Sequence, residues 1–177
     1  MKHVALLRGI NVGGKNPLPM KDLTAMFVAA GCREVVTYIQ SGNVVFEASA
    51  ALATKVSAVI ERAIATRHGH RVPVVMRSAV ELAAVARDNP FLSKGADPGT
   101  LHLAFLAETP AAAKLAALDP ARSPPDAFVV QGRDIFLYLP GSVAKTKLSN
   151  AYFDAKLGTT STVRNWRTVL KLVELAG

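Results

Sequence analysis

A chain of 177 residues, half of them apolar and 19% charged, has enough hydrophobic mass for one ordinary domain or two small lobes, and too little charge to stay unfolded. Cys32 is its only cysteine, which excludes an internal disulfide and suits a reducing cytoplasm, where it reads as a small buried hydrophobe. Arg8 interrupts the apolar start that a signal peptide would need, and no stretch approaches the ~20 apolar residues of a membrane span, so a cytoplasmic protein with no membrane partner is expected. The net charge of +8 is unevenly spread. Residues 1–40 carry five Lys/Arg against two Asp/Glu and residues 142–177 carry six against two, while the 101 residues between them carry ten against nine. Two basic ends that met in space would form one face attractive to an anion.

In chain order, residues 3–7 (HVALL) read as a buried strand, followed by a loop with three glycines. Met20, Leu23, Phe27 and Ala30 share one face of a helix that Gly31 stops. Residues 34–39 and 43–47 are two β-rich runs joined by the turn Gln40-Ser41-Gly42, a hairpin signal. An Ala-rich helix over about 50–67 and a strand over 72–76 follow, which completes β-α-β-β-α-β. A linking helix spans about 79–88. The second half repeats the order, with a strand at 101–106, a helix at 110–118, and a hairpin of strands 128–131 and 135–139. A helix at 147–157, a strand at 159–163 and a last helix then follow, the last helix with Trp166, Val169, Leu170 and Val173 on one face. No sequence repeat accompanies this repeat of elements.

The predicted fold class is therefore α+β: two βαββαβ, ferredoxin-like lobes packed into one compact unit. Residues 1–177 form a single domain, with lobe one at about 1–78, a linking helix and loop at 79–99, and lobe two at about 100–177. Strands such as VALL and IFLYL are apolar on both alternating faces, so both faces of each sheet need cover, from the other sheet or from a second subunit in a homodimer.

Three clusters carry candidate ligand-binding residues. In the first loop, Arg8, Asn11, Gly13, Gly14 and Lys15 bring a guanidinium, an amide, flexible backbone and an ammonium together, the chemistry that captures oxyanions. The loop has neither the P-loop spacing nor GxGxxG. In the hairpin turn, Gln40, Ser41 and Asn43 place two amides and a hydroxyl where they could read a ligand edge, although a turn alone also explains them. Towards the end, Lys147, Ser149 and Asn150 open a helix, and Arg164 and Asn165 are expected near the N-terminus of the last one. The expected geometry is one basic cleft lined by Arg8, Asn43, Lys147 and Arg164. No metal-ligand spacing, paired carboxylates or nucleophile–base pair is evident, so catalytic residues and cofactors stay unassigned.

LLRGINVGGKNPLPMKDL, YIQSGNVVF, Asn89-Pro90-Phe91, KLSN and TVRNWRTVLKL, taken in order, resemble the bacterial family called domain of unknown function 1697. The resemblance implies a compact α+β cytoplasmic protein with ferredoxin-like halves and no established activity. The family's motif residues correspond to Arg8, Asn11, Gly13, Gly14, Gln40, Ser41, Gly42, Asn43, Lys147, Ser149, Asn150, Arg164, Asn165 and Trp166. Arg167 departs from the pattern, since the family often has asparagine there.

Three functions compete. The first is a binding module for a phosphate-bearing, nucleotide-like or other anionic ligand. Nucleic acid is a weaker variant of it, because aromatics are only 6% of residues. The second is an enzyme acting on a small anionic substrate through Arg8, Lys15 and Arg164. The third is a scaffold whose motifs hold a lobe interface.

Overall fold

The computed structural model describes all 177 residues, Met1–Gly177. It is a mixed α+β structure with two four-stranded antiparallel sheets, six α-helices and two short 3-10 helices. The chain divides into two units, one formed by Met1–Ala83 together with Leu172–Gly177, the other by Ala84–Lys171.

In the first unit the order is β1 (Lys2–Leu7), α1 (Met20–Ala29), β2 (Arg33–Tyr38), β3 (Asn43–Glu47), α2 (Ala50–His68) and β4 (Val74–Ser78), and the strands lie β2-β3-β1-β4. Helix α3 (Ala79–Arg87) follows. Ser49 caps α2 by accepting from the Leu52 N–H at 3.2 Å, and Gly69, left-handed at φ 69°, ends it. Val56, Ile60 and Ile64 recur every fourth residue of α2 and are buried with Leu23, Met26 and Phe27 of α1. Both helices pack on the sheet face carrying Ala5, Leu7, Val44, Phe46 and Val74. The opposite face, with Val4, Leu6, Val45, Val75 and Arg77, is buried too. Edge strand β2 is interrupted by a bulge between Arg33 and Val36, where Glu34 has φ 47°.

The second unit holds β5 (Leu101–Leu106), α4 (Ala112–Leu115), β6 (Ala127–Gln131), β7 (Asp134–Tyr138), α5 (Asn150–Leu157) and β8 (Ser161–Asn165), with strand order β6-β7-β5-β8. Its core joins Ala104, Leu106, Ile135 and Leu137 to Tyr152, Phe153 and Leu157 of α5. Leu103, Phe105 and Phe136, on the other face, are buried as well. The last helix, α6 (Trp166–Ala176), begins in this unit and ends in the first, where the Lys2 ammonium donates to the carbonyls of Gly177 at 2.9 Å and Leu175 at 3.4 Å. A cation there suits the negative end of the helix dipole.

Four local expectations are corrected. The helix expected at 110–118 is reduced to Ala112–Leu115. Ala117 and Leu118 donate three residues back, to Lys114 and Leu115, which tightens the last turn, and the Tyr152 hydroxyl takes the next N–H, that of Asp119, at 2.8 Å. Helix α5 starts at Asn150 rather than at 147, because Ser149 is its N-cap. The strand expected at 159–163 runs from Ser161 to Asn165, so Arg164 lies on β8 just before α6 begins. In α6 the buried stripe is Trp166, Val169, Leu172 and Ala176, and Leu170 faces outward.

The two units repeat one another in detail that the sequences do not. Leu7 N–H donates to the Gly42 carbonyl at 2.8 Å, and Leu106 N–H to the Arg133 carbonyl at 2.8 Å. His3 faces Ser78 across β1 and β4 as His102 faces Asn165 across β5 and β8, and the next rung pairs Val4 with Arg77 as it pairs Leu103 with Arg164.

Candidate functional site

The β1–α1 loop is a small hairpin held at its base by asparagines. Lys15 N–H donates to the Val12 carbonyl at 2.9 Å, closing a two-residue turn in which Gly13 and Gly14 both have positive φ, 56° and 74°. That backbone is the mirror-image turn for which glycine is the natural residue. Asn11, itself at φ 53°, works as a three-way staple. Its Nδ2 donates to the carbonyls of Leu18 (2.9 Å) and Gln40 (2.8 Å), and its Oδ1 accepts from the Leu18 N–H at 2.8 Å. Asn16 Nδ2 donates to the Gly9 carbonyl at 2.9 Å, and the Arg8 N–H bonds the Pro73 carbonyl at 3.0 Å. The tip from Val12 to Lys15 is exposed, and a Cβ on Gly13 or Gly14 would meet nothing within 4 Å. This is a stiff arm with open space around its glycines.

The bond from Asn11 to Gln40 joins this loop to the β2–β3 turn, so the first two sequence clusters lie side by side in the first unit. Within the turn, Asn43 is wholly buried, and its Nδ2 donates to the Tyr38 carbonyl at 3.1 Å and the Ser41 hydroxyl at 3.0 Å. Gly42 has φ 87°, and a Cβ there would stand 2.6 Å from the Leu7 Cβ, closer than atoms can approach. Asn11, Asn43 and Gly42 thus shape the scaffold. Lys15 and Gln40 are exposed polar side chains on it, and Arg8, which follows β1, is half-buried.

The third cluster lies in the second unit. Ser149 accepts from the Tyr152 N–H at 3.2 Å as the α5 cap, and Asn150 Oδ1 accepts from the Ser161 hydroxyl at 2.9 Å. Lys147 is exposed on a loop pinned through its backbone, its N–H to the Ser123 hydroxyl (3.0 Å) and its carbonyl to Arg122 Nε (3.1 Å). The Arg122 guanidinium rests over the Tyr152 ring at 4.1 Å. Arg164 is buried, and its Nη1 donates to the Thr162 hydroxyl (2.8 Å) and the Val163 carbonyl (2.9 Å). Desolvation pulls its pKa down to about 10, which leaves it cationic at neutral pH. Asn165 caps α6 by accepting from the Thr168 N–H at 2.8 Å.

Several groups escape sequence reasoning. Arg77 is buried on the same rung as Arg164 in the other unit, its Nη1 donating to the Met76 carbonyl at 2.7 Å. Asp154 Oδ1 accepts from the Ser161 N–H (2.7 Å) and shares the Ser161 hydroxyl proton (2.8 Å) with Asn150 Oδ1, tying α5 to β8. His3 Nε2, His102 Nδ1 and Asn89 Nδ2 are buried without a hydrogen-bond partner. For His3, Arg77 and His102 the one signal in the sequence is a charged or imidazole side chain inside an otherwise apolar strand. No helix is long and apolar enough to cross a membrane.

Among solved structures, that of the conserved bacterial protein SP0830 from Streptococcus pneumoniae is similar over 99% of this chain and 98% of its own, with a TM-score of 0.75 and 23% identity. At that identity the likeness concerns the fold alone. No curated protein matches the sequence. A family described as protein of unknown function, DUF1697, matches residues 1–136, a span that ends before Lys147 and Arg164. The chain belongs to that family.

Proposed function

We propose that this DUF1697 protein, built of two ferredoxin-like lobes, is a cytoplasmic binding protein for a phosphate-bearing, nucleotide-like anion, captured at the β1–α1 loop. The observation that carries the reading is the stapled, exposed Gly13-Gly14-Lys15 tip. Backbone without Cβ atoms lets a phosphate come close, and Lys15 supplies a point charge beside it. Arg8 adds positive charge at the root of the loop. Gln40, fixed next to the loop through the bond from Asn11 to its carbonyl, offers an amide for a base or sugar edge. The stiffness of the arm matters, because a loop ordered in advance loses little entropy on binding. No general acid or base stands among these residues, which favours binding over turnover.

The test is thermal unfolding of the wild type and of Lys15→Gln with ATP, GMP, glucose 6-phosphate and inorganic phosphate. A ligand at one hundred times its Kd adds about 2.7 kcal/mol, or roughly 5–10 °C for a chain of this length. The reading expects such a rise for at least one phosphate compound in the wild type and its loss in Lys15→Gln. No rise with any compound, or an equal rise in the variant, overturns it.

A further inference from the structure

The irregular segment between α3 and β5 contains two short 3-10 turns, Leu92–Lys94 and Pro98–Thr100. Its first turn is fastened to the end of β7 by a ring stack, with Phe91 and Tyr138 centroids 5.9 Å apart and the planes 29° from parallel. Asn89 Oδ1 accepts from the Phe91 N–H at 3.0 Å, and the Gly95 and Ala96 N–H groups fold back onto the carbonyls of Leu92 and Phe91 at 3.0 and 3.1 Å. Beside the stack lies a hollow of about 340 Å³ lined by Phe91, Lys94, Gly95, Ala96 and Tyr138. All five residues belong to the second unit.

Seven of the eleven aromatic side chains in this protein are buried, and of the four that are partly exposed, Tyr38, Phe91, Phe128 and Tyr138, two line this hollow. Lys94 is exposed on its rim and makes no ion pair, and the Tyr138 hydroxyl bonds nothing in the chain. A Cβ on Gly95 would meet nothing within 4 Å, so the floor beneath the lysine is open. The motif Asn89-Pro90-Phe91 has no part in the phosphate site proposed above, and its phenylalanine forms one wall here.

We infer that this hollow binds a planar aromatic carboxylate of one or two fused rings. The partly open rings of Phe91 and Tyr138 offer aromatic surface against which another ring can pack. One ammonium and one phenol match the single charge and two oxygens of a carboxylate. The lining holds one ammonium and no guanidinium, so a singly charged anion suits it better than a phosphate. The volume is at the small end of ligand pockets, which run from roughly 300 to 1,000 Å³, enough for one ring system and its acid group.

The experiment is a titration of the isotope-labelled full-length chain with indole-3-carboxylate, followed by amide NMR shifts, with indole and acetate as separate arms. Saturable shifts are expected at the amides of residues 91–96 and around Tyr138. Indole should bind more weakly, and acetate should leave those amides unmoved. Lys94→Gln, an exposed change that leaves the stack intact, should weaken the carboxylate about three- to fivefold, the upper range for an exposed ion pair, and should leave indole unchanged. Tyr138→Phe keeps both rings and should weaken the carboxylate by about twofold, a modest share of a neutral hydrogen bond. An absence of saturable shifts at these amides, shifts confined to other regions, or indole binding as tightly as the carboxylate would each overturn the inference.

Discussion

Replacing Gly42 with alanine puts two separable costs on the first sheet. At φ 87° an L-residue is strained, by about 1–2 kcal/mol in the left-handed region. The added methyl would also stand 2.6 Å from the Leu7 Cβ and 3.0 Å from Ile10 Cδ1. Leu7 lies in strand β1 and donates its N–H to the Gly42 carbonyl, so it cannot retreat without breaking that bond. Overpacking of this kind costs about 1–3 kcal/mol, which gives a total of roughly 2–5 kcal/mol. Gly14→Ala isolates the first cost, because Gly14 has φ 74° and a Cβ there meets nothing within 4 Å. The gain from restricting the unfolded chain, about 0.4–1 kcal/mol, is common to both variants and cancels in the comparison. Urea unfolding followed by far-UV circular dichroism should therefore rank Gly42→Ala below Gly14→Ala by about 1–3 kcal/mol. In a thermal melt that is about 2–12 °C, at 2–4 °C per kcal/mol. Equal destabilisation of the two variants would refute the argument that Gly42 is required for close approach as well as for its backbone angle.

Asn11→Ala removes two donated bonds and one accepted one, each worth about 0.5–1.5 kcal/mol net. The variant should lose about 1.5–4.5 kcal/mol, and the Leu18 amide should exchange faster with solvent, which hydrogen-exchange NMR reads directly. Burial holds His3 and His102 below their ordinary pKa of 6.5. The charge of the N-terminus adds to the effect at His3 while Glu81 opposes it, and a hydrogen bond to the Thr100 backbone opposes it at His102. The unfolded chain then takes up protons first as the pH falls, so stability is complete above about pH 6.5 and is lost below it. Urea midpoints at pH 7.5 and 5.5 should show that fall, and His102→Gln should reduce it. A fall of the same size in the variant would remove His102 from the account.

The element order was legible because periodicity is local. Val56, Ile60 and Ile64 announce a helix, and the turn around Gly42 announces a hairpin, wherever they lie in a fold. Boundaries that depend on distant partners were not legible. The shortened α4 needs the Tyr152 hydroxyl, which arrives from α5 to take the N–H of Asp119. Arg164 lies just before the start of α6, as expected, but on strand β8 with its side chain buried, since what covers a strand's face is not written in the strand. Asn11, Asn43, Ser149, Asn150 and Asn165 stood out as polar residues in odd company, and every one of them has a hydrogen-bonding task within the fold. Polar side chains that brace tight backbone and polar side chains that await a ligand look alike in a sequence. What separates the two kinds is the set of bonds each side chain makes, and those partners lie elsewhere in the chain.

The first unit draws on residues 172–177 as well as on residues 1–83, and Lys2 grips the carbonyls of Leu175 and Gly177. A ribosome makes those last residues only after the entire second unit. At roughly 5–20 residues per second, the amino-terminal sheet waits on the order of 5–20 s for its final helical turn. During that interval the two carbonyls that Lys2 holds in the folded chain do not yet exist. The half that is synthesised first is thus the half that is finished last.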